Sequence, residues 1–153
     1  MQNKSSSLKV AVDAIVFGYS KQDGVSVLLI KRKYDPFKDN WAIPGGFVLE
    51  NESLEEAVQR ELLEETGYSF SQIYLLGKTA LNPGVLNNFT YMFLATGGVK
   101  TAGQSLDANE EIEIILKPLE EVRSMLMRHE ITQSMHALCM FYGFEFLRVN
   151  ELT

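Results

Sequence analysis

The sequence predicts an α/β fold in which a mixed β-sheet is flanked by helices. Three observations support this prediction: two blocks of short apolar runs separated by turn residues, one strongly signalled helix between the blocks, and helical periodicity near the C-terminus. The order strands, helix, strands, helices favours a layered architecture. The 153 residues contain no evident repeat or linker, so we expect one domain spanning residues 1–153.

The first block predicts a β-hairpin followed by one short strand. Its apolar runs are rich in Val, Ile and Ala, and Asp23-Gly24 supplies the turn between the first two runs. A polar loop over residues 33–40, which contains Pro36, precedes the third run, and Gly45 and Gly46 follow it. The predicted strands cover residues 10–19, 25–30 and 41–43.

The next element is predicted to be a helix with clear signals at both ends. Ser53 and Glu56 have the spacing of a capping box, so the helix is expected to begin near Leu54. Thr66-Gly67 is expected to end it, because glycine readily adopts the left-handed conformation of a helix C-cap.

The second block predicts three further strands and two helices. A turn around Pro83 separates the first two strands, and a loop over residues 97–109 precedes the third. Pro118 is suited to open a helix, and a final helix with an apolar face is predicted over residues 130–147. The predicted strands cover residues 73–81, 89–95 and 112–116.

Three carboxylates share one face of the first predicted helix. Glu61, Glu64 and Glu65 are spaced i, i+3 and i+4, so the helix stacks them above one another. They repel each other unless a cation neutralises them, and oxygen ligands of this kind suit Mg²⁺. The cluster therefore indicates Mg²⁺-assisted chemistry on a phosphate-containing substrate. The alternative is an ordinary solvated acidic helix face.

Bulk properties exclude several other classes of function. The net charge is −6 and the basic residues cluster only at positions 31–33, so a nucleic-acid partner is not expected. The single cysteine, Cys139, excludes an intrachain disulfide, fits a reducing cytoplasm and lies in an apolar stretch, so we expect it to be buried. Residues 1–7 show no signal-peptide pattern and no run is suited to span a membrane. His129 and His136 are expected at a helix end or on the surface.

The segment from Gly46 to Tyr68 resembles the Nudix box, G-x5-E-x7-R-E-U-x-E-E-x-G-U, where U is a bulky apolar residue. Tyr68 departs mildly, because the family more often has an aliphatic residue there. The resemblance implies the Nudix α/β/α sandwich and hydrolysis of a nucleoside diphosphate linked to another group. The matching positions are Gly46, Glu52, Arg60, Glu61, Leu62, Glu64, Glu65 and Gly67.

The resemblance also implies roles for individual residues of the box. Glu61 and Glu65 would bind the metal directly, and Glu64 would bind a metal or orient the attacking water. The backbone carbonyl of Gly45 would add a ligand, with Mg²⁺ as the expected ion and Mn²⁺ as its alternative. The remaining two box residues, Arg60 and Glu52, would pair and orient the metal-binding glutamates.

A second acidic group precedes the strand at residue 112. In ADP-ribose pyrophosphatases of this superfamily, a loop at this place carries glutamates that bind metal or act as general base, and Glu110 aligns best with the metal-contacting one. The position two residues earlier, where some relatives carry the base, is Ala108. Asp107 or Glu64 is therefore the candidate base, and a solvated loop, including Glu111, is the alternative.

The flanks resemble the ADP-ribose pyrophosphatase subgroup. Pro83 lies fifteen residues after Tyr68, near the spacing of a proline in that subgroup, although a turn proline is common. The primary hypothesis is Mg²⁺-dependent hydrolysis of ADP-ribose to AMP and ribose 5-phosphate. The candidate phosphate contacts are Arg32 and Lys31. The candidate aromatic contacts to adenine are Trp41, Phe37 and Phe89, although aromatic residues next to a strand more often belong to a core.

Two other functions remain open at this stage. One is a Nudix hydrolase acting on another nucleoside diphosphate or on a nucleoside triphosphate. The other is a sensor that binds ADP-ribose without cutting it, since the front half resembles the Nudix-like domain of regulators of NAD metabolism. Those regulators carry a DNA-binding winged helix after that domain, whereas this sequence stops at Thr153 and its box is intact. Family members often form homodimers, so a homodimer is a further expectation.

Overall fold

The computed structural model describes residues 8–35 and 37–152. The expectations for residues 1–7 and for Pro36 lie outside the described residues. The strands are β1 Lys9–Ser20, β2 Gly24–Arg32, β3 Trp41–Ala42, β4 Gly45–Phe47, β5 Tyr68–Ala80, β6 Asn88–Lys100 and β7 Ile112–Pro118. The helices are α1 Leu54–Thr66, α2 Leu119–Met127 and α3 Ser134–Val149.

The strands form one mixed sheet with β1 at its centre. The main order is β3-β2-β1-β6-β5, with β4 paired to β1 and β7 paired to β2. β1 runs parallel to β6, and the other described pairings are antiparallel. β4 adds to β1 through the pairs Ala11 with Phe47 and Asp13 with Gly45, which brings Gly45 and Gly46 against the middle of the sheet.

Helices cover both faces of this sheet, as predicted. The period-2 alternation of β1 sends Val12, Ala14 and Val16 into a core shared with α1. Ile15 and Phe17 point the other way, into a core shared with α2 and α3. The α/β/α layering is therefore confirmed, and the alternation of β1 decides which layer each of its side chains serves.

Local signals determine both ends of α1. The Ser53 hydroxyl accepts a hydrogen bond from the Glu56 amide at 3.1 Å, and the Glu56 carboxylate accepts one from the Ser53 amide at 2.8 Å. Gly67 ends the helix with φ of 75°. Because Cβ atoms strain this conformation, glycine suits the position, and both predicted ends are confirmed.

Several other boundaries differ from the prediction. β5 begins at Tyr68 instead of residue 73, and β6 continues to Lys100 through glycines expected in a loop, because residues 68–72 and 96–100 pair with each other. Gly45 and Gly46, which were predicted to follow the third strand, lie in a further short strand, β4. α3 begins at Ser134 instead of Glu130. None of the helices within residues 8–35 and 37–152 is long and apolar enough to cross a membrane.

Candidate active site

An acidic cavity of about 530 Å³ lies between β4, α1 and the loop before β7. The three glutamates of α1 that were predicted to share a face all line it. The cavity also brings in two acidic residues from the loop after β6, so that residues far apart in sequence meet at one place. Its acidic lining residues are Glu61, Glu64, Glu65, Asp107 and Glu110.

The two glycines of β4 allow α1 and β1 to approach this closely. A Cβ added at Gly46 would overlap the Glu61 carboxylate, and one added at Gly45 would overlap the Asp13 carboxylate and the Val12 carbonyl. The Gly45 amide donates a hydrogen bond to Glu65 Oε2 at 3.0 Å. β4 is thus a backbone wall with carboxylates on both of its sides.

Arg60 holds one side of the cavity together. It donates to Glu52 through Nε at 2.7 Å and Nη2 at 3.1 Å, and also to the Phe47 carbonyl at 3.0 Å. Its Nη1 contacts Glu61 at 2.8 Å and Glu64 at 3.2 Å. The Arg60 guanidinium lowers the pKa of Glu52, and the carboxylates raise the pKa of Arg60. The expected pairing of Glu52 with Arg60 is present, while its catalytic role stays a prediction.

The pKa values of Glu61 and Glu65 are raised, whereas that of Glu52 is lowered. Burial is the largest cause raising the pKa of Glu61, and the charges of Glu64 and Glu110 add to it. Glu65 is only 6% exposed, and burial together with the charges of Glu61, Glu110 and Asp13 raises its pKa well above the usual range. Arg60 offsets part of this effect at Glu61, and the hydrogen bond from the Gly45 amide offsets part of it at Glu65.

The donor chemistry of the cavity fits a divalent cation. Carboxylate oxygens and a backbone carbonyl are the ligands that Mg²⁺ and Mn²⁺ prefer, and a cation would relieve the repulsion around Glu65. In the part of the chain that the structure describes, no three acidic, His or Cys side chains are already arranged to hold a metal ion. Glu61 and Glu64 are instead turned towards Arg60. Binding a cation would therefore require these side chains to move.

The two candidate bases both reach the cavity. The Glu64 side chain is 43% exposed and touches Arg60 only at 3.2 Å, and Asp107 is an exposed loop residue. Glu110 lies at the same wall, with Arg32 at 3.8 Å from its carboxylate. Glu111 points elsewhere and pairs with Lys33 at 2.7 Å.

The loop after β6 is fastened to the end of α1. The Ser105 amide donates to the Glu64 carbonyl at 2.8 Å, and the Gln104 side chain donates to the Glu65 carbonyl at 2.8 Å. These bonds satisfy carbonyl groups that a helix end leaves free. The loop that leads to Glu110 is therefore bonded to the helix that carries the other glutamates.

The residues proposed to contact substrate lie outside the lining of the acidic cavity. Lys31 Nζ lies 4.9 Å from the centre of the Trp41 ring, and Lys78 Nζ lies 4.1 Å from that of Phe89. Phe37 is exposed in the loop after β2, and Pro83 is exposed between β5 and β6. None of Lys31, Arg32, Trp41, Phe37, Phe89 and Pro83 lines the acidic cavity. Their contacts with substrate stay predictions.

Both histidines lie at helix ends, as expected: His129 follows α2, and His136 lies in the first turn of α3 without being on the surface. His129 is exposed just after α2. The His136 side chain is only 12% exposed, and its Nε2 lies 3.3 Å from Oδ1 of Asp13. Two signals in the sequence could have indicated this contact: an aspartate within an apolar strand, and a histidine on the same helix face as Cys139 and Met140. Cys139 is buried as expected, and burial raises the pKa of its thiol to about 12.

A family model described as NUDIX domain matches residues 7–138. The chain belongs to the Nudix family. An ADP-ribose pyrophosphatase of Methanocaldococcus jannaschii is 55% identical over 58 residues, which is 38% of this chain and 31% of that protein. An ADP-ribose pyrophosphatase of Bacillus subtilis is 25% identical over 131 residues, or 84% of this chain and 69% of that protein.

Solved Nudix structures share the fold. A structure described as an ADP compounds hydrolase has a TM-score of 0.78 at 21% identity and covers 93% of this chain and 74% of its own. The NUDIX domain of Shewanella oneidensis NrtR, solved with ADP ribose, has a TM-score of 0.70 at 28% identity and covers 90% of this chain and 87% of its own. The match to the Methanocaldococcus relative spans less than a third of that protein's length.

Proposed function

We propose that this chain is a single Nudix hydrolase domain that cleaves the diphosphate of ADP-ribose in a Mg²⁺-dependent reaction, giving AMP and ribose 5-phosphate. The observation that carries the proposal is the gathering of Glu61, Glu64, Glu65 and Glu110 around one cavity in which burial and mutual repulsion raise the pKa of Glu61 and Glu65. The similarity to two ADP-ribose pyrophosphatases supports the choice of substrate.

In this proposal each group has a distinct task. When bound, the cation neutralises the diphosphate and makes a water nucleophilic at neutral pH. Glu61, Glu65, Glu110 and the Gly45 carbonyl would hold it. The more exposed Glu64, or Asp107, would orient the attacking water and accept its proton. Arg60, fixed by Glu52, would keep Glu61 and Glu64 in place.

The test is turnover of ADP-ribose with MgCl2, followed by chromatography of AMP and ribose 5-phosphate. We expect both products in equal amounts, none with EDTA, and loss of turnover in Glu64→Gln and Glu65→Gln. Glu55→Gln, at an exposed position in the first turn of α1, is the matched control and should retain turnover. Undiminished activity in both cavity variants would contradict the mechanism.

A panel of other substrates tests the choice of ADP-ribose. GDP-mannose and 8-oxo-dGTP belong in it, because relatives are named for a GDP-mannose pyrophosphatase and a putative 8-oxo-dGTP diphosphatase. A kcat/KM for either that exceeds the value for ADP-ribose would reassign the substrate while leaving the hydrolytic mechanism in place.

A second candidate function is ADP-ribose sensing without hydrolysis. It is favoured by the extent of the match to the NrtR domain solved with ADP ribose, and by 28% identity over 134 residues to an ADPR-responsive transcriptional repressor of Acinetobacter baylyi. Calorimetry with ADP-ribose separates the two functions. Tight binding with the ligand recovered intact after incubation with Mg²⁺ supports the sensor, and recovery of AMP supports the enzyme.

A further inference from the structure

A carboxylate lies beside β4, on the sheet face opposite α1. Asp13 belongs to the central strand β1, and its residue exposure is only 7%. It is the pairing partner of Gly45, and its carboxylate occupies the space that a Cβ at Gly45 would need. Burying a carboxylate costs free energy unless neighbouring groups bind to it.

The neighbour of this carboxylate is His136 of α3. The imidazole Nε2 lies 3.3 Å from Asp13 Oδ1. On its other side, Nδ1 accepts a hydrogen bond from the Ile43 amide at 3.4 Å. A backbone amide can only donate, so Nδ1 carries no proton and the ring proton belongs on Nε2, the nitrogen next to Asp13. His136 therefore bridges β1 and the segment that leads into β4.

The same contacts continue to the acidic cavity. Ile43 is followed by Pro44, whose carbonyl accepts from the Ala14 amide at 2.9 Å, and then by Gly45. The Gly45 amide in turn donates to the buried Glu65 carboxylate. A continuous series of contacts thus runs through the sheet from α3, by way of Asp13 and β4, to α1.

We propose that His136 and Asp13 form a positioning pair that fixes the Gly45 peptide, and through it the Glu65 carboxylate, for binding the divalent cation. The proposal rests on the proposed cation-dependent function and names two residues outside the Nudix box. Neither residue lines the acidic cavity, so both act through Gly45. Groups that orient metal ligands in this way typically change metal affinity or activity by about 10- to 100-fold when removed.

The test compares cation affinity with stability in three variants. His136→Phe fills the same space without a donor or acceptor, and His136→Gln restores a donor near the position of Nε2. Phe144→Leu is the control, because Phe144 is buried on α3 and packs against Phe17, with ring centres 6.3 Å apart. Mn²⁺ binding is measured by calorimetry without substrate, unfolding by thermal denaturation, and kcat, KM and Mg²⁺ dependence with ADP-ribose.

We expect His136→Phe to weaken Mn²⁺ binding by about 10- to 100-fold, and His136→Gln to recover most of it. KM for ADP-ribose at saturating Mg²⁺ should change little. Phe144→Leu should lower the melting temperature but leave Mn²⁺ affinity unchanged. If His136→Phe does not fold, Asp13→Asn, which keeps the shape of the side chain, serves as the second variant with the same expected weakening.

Wild-type Mn²⁺ affinity in the folded His136→Phe or Asp13→Asn variant would overturn the proposal, as would equal weakening in Phe144→Leu. The result also separates this inference from the proposed function. A wild-type protein that binds Mn²⁺ without cutting ADP-ribose contradicts the function, while weakened Mn²⁺ binding in His136→Phe still supports the pair. A wild-type protein that binds no Mn²⁺ contradicts both.

Discussion

On the Arg60 side of the acidic cavity, the Glu52 carboxylate accepts two hydrogen bonds from a guanidinium, whereas on the Gly45 side the Glu65 carboxylate accepts one from a backbone amide. The pKa of Glu52 is lowered by Arg60, and that of Glu65 is raised by burial and by neighbouring carboxylates. The Arg60 side thus has its countercharge within the protein, and the Gly45 side would gain one from the proposed cation.

This difference divides the residues of one motif into a pair of opposite charges and a buried carboxylate without such a pairing. Glu52 and Arg60 satisfy each other and stabilise the folded chain. Glu65 is buried with too little compensation, an arrangement that costs stability and that proteins tolerate mainly at functional sites. Substitutions on the two sides should therefore change stability in opposite directions, even where both reduce activity.

The largest effect is expected from Glu65→Gln. Loss of a ligand to the cation should lower kcat/KM for ADP-ribose by about 10³-fold or more, since metal-ion stabilisation amounts to several kcal/mol and each 1.36 kcal/mol is tenfold in rate. Removing an uncompensated buried charge should at the same time raise the free energy of unfolding of the metal-free protein at neutral pH. Urea unfolding with EDTA measures this, and a variant less stable than the wild type would contradict the proposed imbalance.

Arg60→Lys should give the next largest effect, with the opposite change in stability. A lysine ammonium cannot contact Glu52, Glu61, Glu64 and the Phe47 carbonyl together in the geometry of the guanidinium. We expect activity to fall by about 10- to 100-fold and the free energy of unfolding to fall by about 2 kcal/mol. Steady-state kinetics and urea unfolding check both values, and unchanged stability would show that the network is not structural.

The pH dependence of stability should distinguish the two sides more finely. A carboxyl group with a raised folded-state pKa contributes stability that is present below its unfolded value, about 4.3 for Glu, and lost as pH rises through the folded pKa. Glu61 and Glu65 should therefore make the metal-free protein less stable at pH 7 than at pH 5.

Glu52 acts in the reverse sense, because its lowered pKa gives stability that is lost only as pH falls below about 4.3. Urea midpoints from pH 8 down to about pH 3 with EDTA measure both contributions. In Glu65→Gln the urea midpoint should fall less steeply above pH 5 than in the wild type. Saturating Mg²⁺ should raise the wild-type urea midpoint at pH 7. If the urea midpoint of Glu65→Gln falls as steeply above pH 5 as that of the wild type, groups other than Glu65 cause the loss of stability.

The smallest effect is expected at Glu111, whose neighbour Glu110 provides the contrast. Glu110 lines the cavity, so Glu110→Gln should raise the Mg²⁺ concentration that gives half-maximal activity by about tenfold. Glu111 and Lys33 form a pair in which each side chain is almost half exposed, and such surface pairs contribute little. Glu111→Gln should leave kinetics and melting temperature unchanged, and a loss equal to that of Glu110→Gln would show that the loop contributes through its total charge.

Locally encoded features were predictable from the sequence. The limits of α1 follow from Ser53, Glu56 and Gly67, whose interactions lie within a few residues of each other. The face shared by Glu61, Glu64 and Glu65 follows from helix geometry alone. By contrast, the extra length of β5 and β6 comes from their pairing with each other, which no short window of sequence records.

The same distinction holds for the candidate site. The box positions were found because their spacing is fixed within one segment. The contact of Asp13 with His136 joins the first strand to the last helix, and it was missed because the side-chain partner of a buried charge is decided by tertiary packing. The proposed substrate contacts depend on the same kind of packing, and they stay predictions until a ligand is bound.

The bonds from Gln104 and Ser105 to the last turn of α1 have a consequence for the entropy of assembling the site. Glu110 follows a loop that is held at its start by the helix and at its end by β7. The loss of chain freedom needed to bring Glu110 near Glu64 and Glu65 is therefore incurred when the protein folds, and little of it is left for the moment of binding. Gln104→Ala should accordingly increase the mobility of Glu110 relative to Glu64 and Glu65 without changing the charge of any of the three.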